Sequence, residues 1–476
     1  MKSLRDYKEI ENKMALNELT IVEAREGLKE KRFSAVELAR DCLGAIKKID
    51  PRVKAYVTVD EERVLKESKA VEKKLSELPL GGVPIAVKDN FLTRGLRTTA
   101  SSRVLENYLP VYDATVISKL KEAGAIILGK TNMDAWAHGS STETSQFFPT
   151  HNPWDLERLP GGSSGGSAAA IAADLTIGAI GSETAGSIRQ PASWCGVVGL
   201  KPSYGVVSRY GVIAMASSLD SPGPMTKTVE DSRLLFEILR GRDSHDATSV
   251  DFRPLPQKPF RQVRIGVAPQ YFPAEMDEEV KTMVKEAINL FTGQGLATKE
   301  VRLIDPQFAI ADYTVLQRAE VSSNLARYDG IRYGRDRSFF GEEAKRRIML
   351  GTYTLSAGYY DAYYLRAEKV RALLCHDFEK VFQEIDVIMA PTTPSTALKL
   401  GATKGHPMFG EVQDMLVEAS SIAGLPGINL NCGFTKKGLP VGLQIIGPRF
   451  SELLLLGMAQ MYEKATDWQK RKPSLN

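Results

Sequence analysis

The sequence predicts an α/β layered protein built around a mostly buried, mixed β-sheet. Three observations carry that expectation. Short β-rich runs alternate with helical stretches from residue 83 onward, and capping boxes mark two helix starts before that point. The third is composition: 43% of the 476 residues are hydrophobic and 25% charged, which is enough to bury a large core and excludes a disordered chain.

Taken in order, the first eighty residues read as helices. Thr20-Ile21-Val22-Glu23 and Ser34-Ala35-Val36-Glu37 each set a hydroxyl three residues before a carboxylate, so that the two side chains satisfy orphan N–H groups at a helix start. Val36, Leu38, Ala39, Cys42, Leu43 and Ile46 continue the second as an apolar stripe at helical spacing. The lysines and glutamates of 61–76 read as a solvated helix face. Strands are expected over 83–87, 125–128, 175–180, 263–267, 387–390, 428–430 and 441–446. Ser118-Lys119-Leu120-Lys121 matches the S-x-x-K pattern of some acylases, but it sits in the amphipathic stretch 114–123 and reads as helix surface. The proline-rich run from Arg253 to Pro259 reads as a surface crossing between two halves of one domain.

Charge and cysteine usage narrow the function classes. With 62 Lys+Arg against 58 Asp+Glu, the net charge of +4 is too small for this length to announce nucleic acid or an anionic membrane. Any RNA would therefore be reached through another subunit. Cys42, Cys195, Cys375 and Cys432 are scattered, with no CxxC pair and no zinc-like histidine spacing, which disfavours a disulfide framework and a metal site. The charged start Met1-Lys2-Ser3-Leu4-Arg5-Asp6 does not read as a signal peptide, and the most apolar reach, 168–181, is too short for a bilayer and is broken by Asp174. A soluble protein of the reducing cytoplasm is expected.

The chemistry-bearing segment runs from Leu159 to Lys201. Alone, Gly161-Gly162-Ser163-Ser164-Gly165-Gly166-Ser167 reads as a flexible linker. Its context differs, because an Ala-rich helix follows at once and a second turn, Thr184-Ala185-Gly186-Ser187, precedes Arg189-Gln190-Pro191. Two glycine-assisted turns bracketing a helix and a strand indicate backbone shaped to meet a ligand. A phosphate cradle lacks the Walker spacing and its lysine. Residues 161–165 satisfy the G-x-S-x-G of a nucleophile elbow, but Arg158-Leu159-Pro160 is a poor preceding strand, and His245, His376 and His406 each read as loop or helix surface. The third option is a serine hydrolase with a lysine base. A serine hydroxyl needs a neighbouring base, and lysine serves if burial keeps it neutral. Lys88, at the end of Val83-Pro84-Ile85-Ala86-Val87, is the candidate; strand alternation turns Asp89 to the opposite face. A lone lysine at a strand end is otherwise usually just solvated.

The run GGSSGGSAAA…SETAGSIRQPASWCGVVGLKPSYG closely resembles the amidase signature family, and the likeness extends over nearly the whole chain. The resemblance implies a central mixed sheet covered by helices on both faces and one domain over 1–476. That domain comprises an N-terminal helical segment (1–80), the signature core (81–232), and the rest of the sheet with substrate-specificity helices (233–476). It also implies a Ser–cis-Ser–Lys triad, with Lys88 as base, Ser163 as bridge and Ser187 as nucleophile. Backbone N–H groups of Thr184, Ala185, Gly186 and Ser187 would face the oxyanion. Within the family, the stretches 84–90, 128–134, 152–158, 209–211, 323–330, 345–351 and 356–364 are similar to the glutaminase subunits of tRNA-dependent amidotransferases.

That narrower likeness implies hydrolysis of glutamine to glutamate and ammonia, with Arg347 holding the α-carboxylate and Asp414 the α-ammonium. It implies no cofactor in this chain. A B subunit would bind tRNA and use ATP and Mg to phosphorylate glutamate, and a small C subunit would wrap the chain. Without it, Arg347 reads as part of a basic helix face and Asp414 as an ordinary helix carboxylate. A free-standing amidase for another small amide needs neither residue, and a weakly catalytic scaffold subunit is the other alternative. Three departures stand out. The subgroup usually reads Asp-Thr-Gly-Gly-Ser where this chain has Glu183-Thr184-Ala185-Gly186-Ser187, it usually has Met where His138 stands, and the segment between Gly334 and Gly341 is shorter than usual.

Overall fold

Helices and strands alternate in the computed structural model, which describes residues 15–475 apart from 76, 257, 333 and 407. The charged stretch 1–6 thus lies outside the described residues. Both expected capping boxes form, Thr20 and Ser34 each accepting from the backbone of Glu23 and Glu37 while those carboxylates return the bond. They start the helices Ile21–Lys29 and Ala35–Val53, which pack their apolar stripe onto the sheet. The reading of 1–80 as purely helical needs correction. A strand, β1 (Tyr56–Val59), interrupts it, its four residues too few to show a period against the flanking helices.

The remaining strands are β2 (Pro84–Lys88), β3 (Ile126–Thr131), β4 (Gly178–Glu183), β5 (Val198–Lys201), β6 (Ser221–Thr226), β7 (Arg264–Val267), β8 (Ala297–Glu300), β9 (Val387–Pro391), β10 (Gly427–Phe434) and β11 (Pro440–Ile446). They form one 11-stranded sheet in the order β1-β3-β2-β4-β6-β5-β10-β11-β9-β7-β8. Parallel pairs join β3-β2-β4 and β9-β7-β8, and antiparallel pairs join the rest, so the sheet is mixed as expected. Every residue of β2, β3, β4, β6, β9 and β11 is buried, which requires cover on both faces. The expected strand over 175–180 lies three residues later, at Gly178–Glu183. β5, β6 and β8 were not expected at all.

One hydrophobic cluster is built on β2–β4 and the N-terminal helices, and a second on β7, β9–β11 and the C-terminal helices. The described residues of the run from Arg253 to Pro259 are exposed, as a surface crossing should be. Ser118 to Lys121 lies in the helix Thr115–Glu122, where Lys121 pairs with Asp113 rather than with Ser118. Among the described residues, no helix is long and apolar enough to cross a membrane, and no group of three His, Cys, Asp or Glu side chains is placed to hold a metal ion.

Candidate active site

β2 and β4 are parallel neighbours with Val87 opposite Ile180, so both end at the same edge of the sheet. Ligands in open α/β sheets gather at such carboxyl ends. Lys88, the last residue of β2, is fully buried there. Its Nζ lies 2.8 Å from Ser163 Oγ and donates to the Ser182 carbonyl at 3.0 Å. Burial lowers its pKa to about 7, against the opposing pull of Asp134, Asp220 and Glu183. A large fraction is therefore neutral at neutral pH, as a base must be. Asp89 points elsewhere, accepting from the N–H groups of Thr99 and Ser101 at 3.1 and 3.2 Å.

The first Gly/Ser turn is rigid rather than linker-like. Gly161 has φ +85°, and an added Cβ would stand 2.5 Å from Gln190 Oε1, the same oxygen that accepts the Gly162 N–H at 2.8 Å. The Gly162–Ser163 peptide bond is cis. Ser164 N–H donates to the Ser187 carbonyl at 3.2 Å and so ties this turn to the second.

Glu183 closes the second turn. One carboxylate oxygen accepts the N–H groups of Ile188 and Arg189 at 3.0 and 2.9 Å, and the other receives Arg189 Nε and Nη2 at 2.8 and 2.6 Å. Residues 184–187 are thus looped out between two anchored ends. Among the described residues, no hydrogen bond is found from the backbone N–H of Thr184, Ala185, Gly186 or Ser187, so these donors remain for a ligand. Thr184 Oγ1 donates to Asp220 at 2.6 Å, and the Ala185 carbonyl accepts from Ser421 Oγ. The extra methyl of Ala185 is packed into the C-terminal core.

Asp414 and Arg347 come from separate helices. Asp414, on Phe409–Ile422, accepts from Ser140 Oγ at 2.5 Å, and its other oxygen lies so close to Gly186 that any side chain there would strike it. Burial pushes its carboxyl well above the usual range. Arg347, on Glu342–Thr354, is 3% exposed, so it is not part of a solvated face. Its Nε bonds Glu343 Oε1 at 2.5 Å, while Nη2 is 3.6 Å from Glu411, beyond hydrogen-bond length. Burial opposes its charge, but Glu411 and Glu343 outweigh that and raise its pKa.

A cavity of about 460 Å³ is lined by Arg347, Glu411, Glu343, His138, Ser140 and Thr144, with Gly341 at the end of the short segment beginning at Gly334. Lys88, Ser163 and Ser187 are not among its lining. The connection runs through Asp414, which touches Ser140 on the cavity side and Gly186 on the serine side. Glu411 and Arg318, an ion pair at 2.7 Å behind Arg347, escaped the sequence reading because charged residues on amphipathic helices look alike until the helices pack. The three histidines weighed for an elbow, His245, His376 and His406, are all exposed, and no strand precedes Gly161.

Comparison with known proteins adds three findings. The sequence profile of the Amidase family matches residues 37–456. The chain is 48% identical to the A subunit of glutamyl-tRNA(Gln) amidotransferase from Carboxydothermus hydrogenoformans, covering 97% of this chain and 100% of that one, and 49% identical to its counterpart from Desulforudis audaxviator, covering 97% and 98%. Its structure is similar to the crystal structure of the A subunit of glutamyl-tRNA(Gln) amidotransferase from Thermotoga maritima, with a TM-score of 0.82 at 44% identity over 95% and 96% of the two chains.

Proposed function

The chain belongs to the amidase family, and on that footing we propose that it is the glutaminase subunit of a glutamyl-tRNA(Gln) amidotransferase. It hydrolyses glutamine to glutamate and ammonia, and the ammonia converts Glu-tRNA(Gln) to Gln-tRNA(Gln) on a partner subunit. The observation that carries the reading is Asp414, whose carboxylate spans from the serine loop at Gly186 to the cavity holding Arg347. A general amidase has no use for a buried anion and a buried cation at that junction.

In this mechanism, neutral Lys88 takes a proton from Ser163, which takes one from Ser187. Ser187 Oγ attacks the side-chain amide, and the oxyanion forms where the N–H groups of Thr184, Ala185, Gly186 and Ser187 point; one such donor is worth about 3 kcal/mol. The proton returns through Ser163 to the departing ammonia, and water resolves the acyl-enzyme. Arg347 pairs with the α-carboxylate and Asp414 with the α-ammonium, whose charge favours the ionised carboxylate that burial alone disfavours. Arg347→Ala should therefore raise the KM for glutamine roughly a hundredfold, from the loss of a charge-assisted pair of about 3 kcal/mol, and barely change hydrolysis of an amide that lacks the carboxylate. Equal losses on both substrates would assign Arg347 a structural role.

The partners in this proposal are a B subunit, which binds tRNA and uses ATP and Mg, and a small C subunit; the chain itself needs no cofactor and works in the cytoplasm. With a net charge of +4, it has no strong electrostatic hold on tRNA of its own. The test is steady-state glutamine hydrolysis by the purified chain, with and without the B and C subunits and charged tRNA. Low activity that rises on assembly is expected. Full activity alone, indifferent to partners, would favour a free-standing amidase.

A further inference from the structure

His138 is fully buried and lines the cavity, and neither ring nitrogen has a hydrogen-bond partner. A buried imidazole with both nitrogens idle carries a desolvation cost that folding alone does not repay. The turn presenting it is also held in a demanding shape. Trp136 and Ala137 take φ of +61° and +64°, in the left-handed region that non-glycine residues rarely adopt, and Gly139 follows at +145°. The surroundings over-determine that shape. Asp134 accepts from Ser141 N–H at 3.1 Å and Thr144 Oγ1 at 2.9 Å, the His138 carbonyl is 3.2 Å from Thr144 Oγ1, and Trp136 packs on Tyr328 and Phe340. Backbone held this way clusters at ligand clamps.

We propose that His138 is a substrate-binding residue whose imidazole N–H donates a second hydrogen bond to the carboxylate that Arg347 pairs with. This deepens the glutaminase reading and rests on it. The cavity-side charges bearing on His138 decide which group it meets. Burial first, then Arg347 and Arg318, hold its pKa well below the ordinary value, so the ring is neutral and offers one N–H and one bare nitrogen. Glu343 and Glu411 line the same cavity and pair with Arg347 and Arg318, but Arg347 is the group that meets the carboxylate in this reading and Asp414 the one that meets the α-ammonium, so a neutral donor beside Arg347 serves the carboxylate. Neither ring nitrogen has a protein partner to fix the tautomer, and a carboxylate selects the one that donates toward it.

The experiment compares the full chain, together with any partner proteins that co-purify, on glutamine, on glutaramate, which keeps the carboxylate and lacks the amine, and on γ-aminobutyramide, which keeps the amine and lacks the carboxylate. His138→Met fills the same space without an N–H. It should raise the KM about tenfold for glutamine and for glutaramate, with kcat within about twofold, and leave γ-aminobutyramide unchanged. His138→Gln, which restores an N–H donor, should recover most of the loss. An unchanged glutamine KM in His138→Met, or an equal rise for γ-aminobutyramide, overturns the proposal. A parent protein that cleaves γ-aminobutyramide as well as glutamine fails the glutaminase reading instead, whatever the variant does.

Discussion

Lys88→Ala is expected to cut glutamine hydrolysis by on the order of a thousandfold or more, the contribution of a general base in a proton relay, while the fold keeps its melting temperature. Packing does not explain why this residue is a lysine. Its Nζ sits at 2.8 Å from Ser163 and 3.0 Å from the Ser182 carbonyl in a fully buried site, and removing it also removes the cost of burying an amine. The same residue should also set the pH response. Burial brings it to about 7, and only the unprotonated amine accepts a proton, so kcat/KM should be flat above that value and fall about tenfold per pH unit below it. Loss of activity with rising pH, or a variant within tenfold of the parent, would assign the base elsewhere.

What was legible in the sequence follows from which residues carry local information. The serine turns were readable because glycine is needed where φ is positive, as at Gly161, and because a lysine ending an apolar strand stands out against its neighbours. The capping boxes were readable because their hydrogen bonds close within four residues. The strands that escaped are those whose local chemistry argues against a strand. β6 reads Ser-Pro-Gly-Pro-Met-Thr, and prolines belong on unpaired sides of sheets. It is accommodated because β5 pairs with it only at Met225 and Thr226, beyond both prolines. β8, Ala-Thr-Lys-Glu, is fully exposed at the sheet edge and has no apolar alternation to detect. Tertiary partners escaped for a related reason. Glu411 and Arg318 owe their roles to three helices meeting, which no spacing within one helix encodes, whereas the Glu343–Arg347 pair is an i,i+4 contact inside one helix.

Arg189→Met should destabilise the protein by about 3–5 kcal/mol, the usual result of stripping one partner from a buried ion pair. Surface pairs such as Lys299–Glu384 should each be worth under about 1 kcal/mol. Arg189 and Glu183 are both fully buried, so the variant strips the carboxylate of its only ion-pair partner among the described residues. The guanidinium does more than neutralise. It also donates to Ser420, Ser421 and the Val417 carbonyl on the helix carrying Asp414, and to Gln444 on β11. One side chain therefore fixes the 184–187 loop to the helix whose carboxylate abuts Gly186. Losing it should loosen both the donors proposed to face the oxyanion and the carboxylate proposed to position the substrate, so kcat should fall and KM rise together, unlike the KM-only change expected of Arg347→Ala. Urea titration gives the stability term, and kinetics below the unfolding range give the rest. Glu183→Asp is the informative companion, since the shorter carboxylate can still reach the N–H groups of Ile188 and Arg189 only by drawing the 184–187 turn inward. A stability loss under about 1 kcal/mol in Arg189→Met, with kcat and KM unchanged, would mean that the loop holds its shape without this pair.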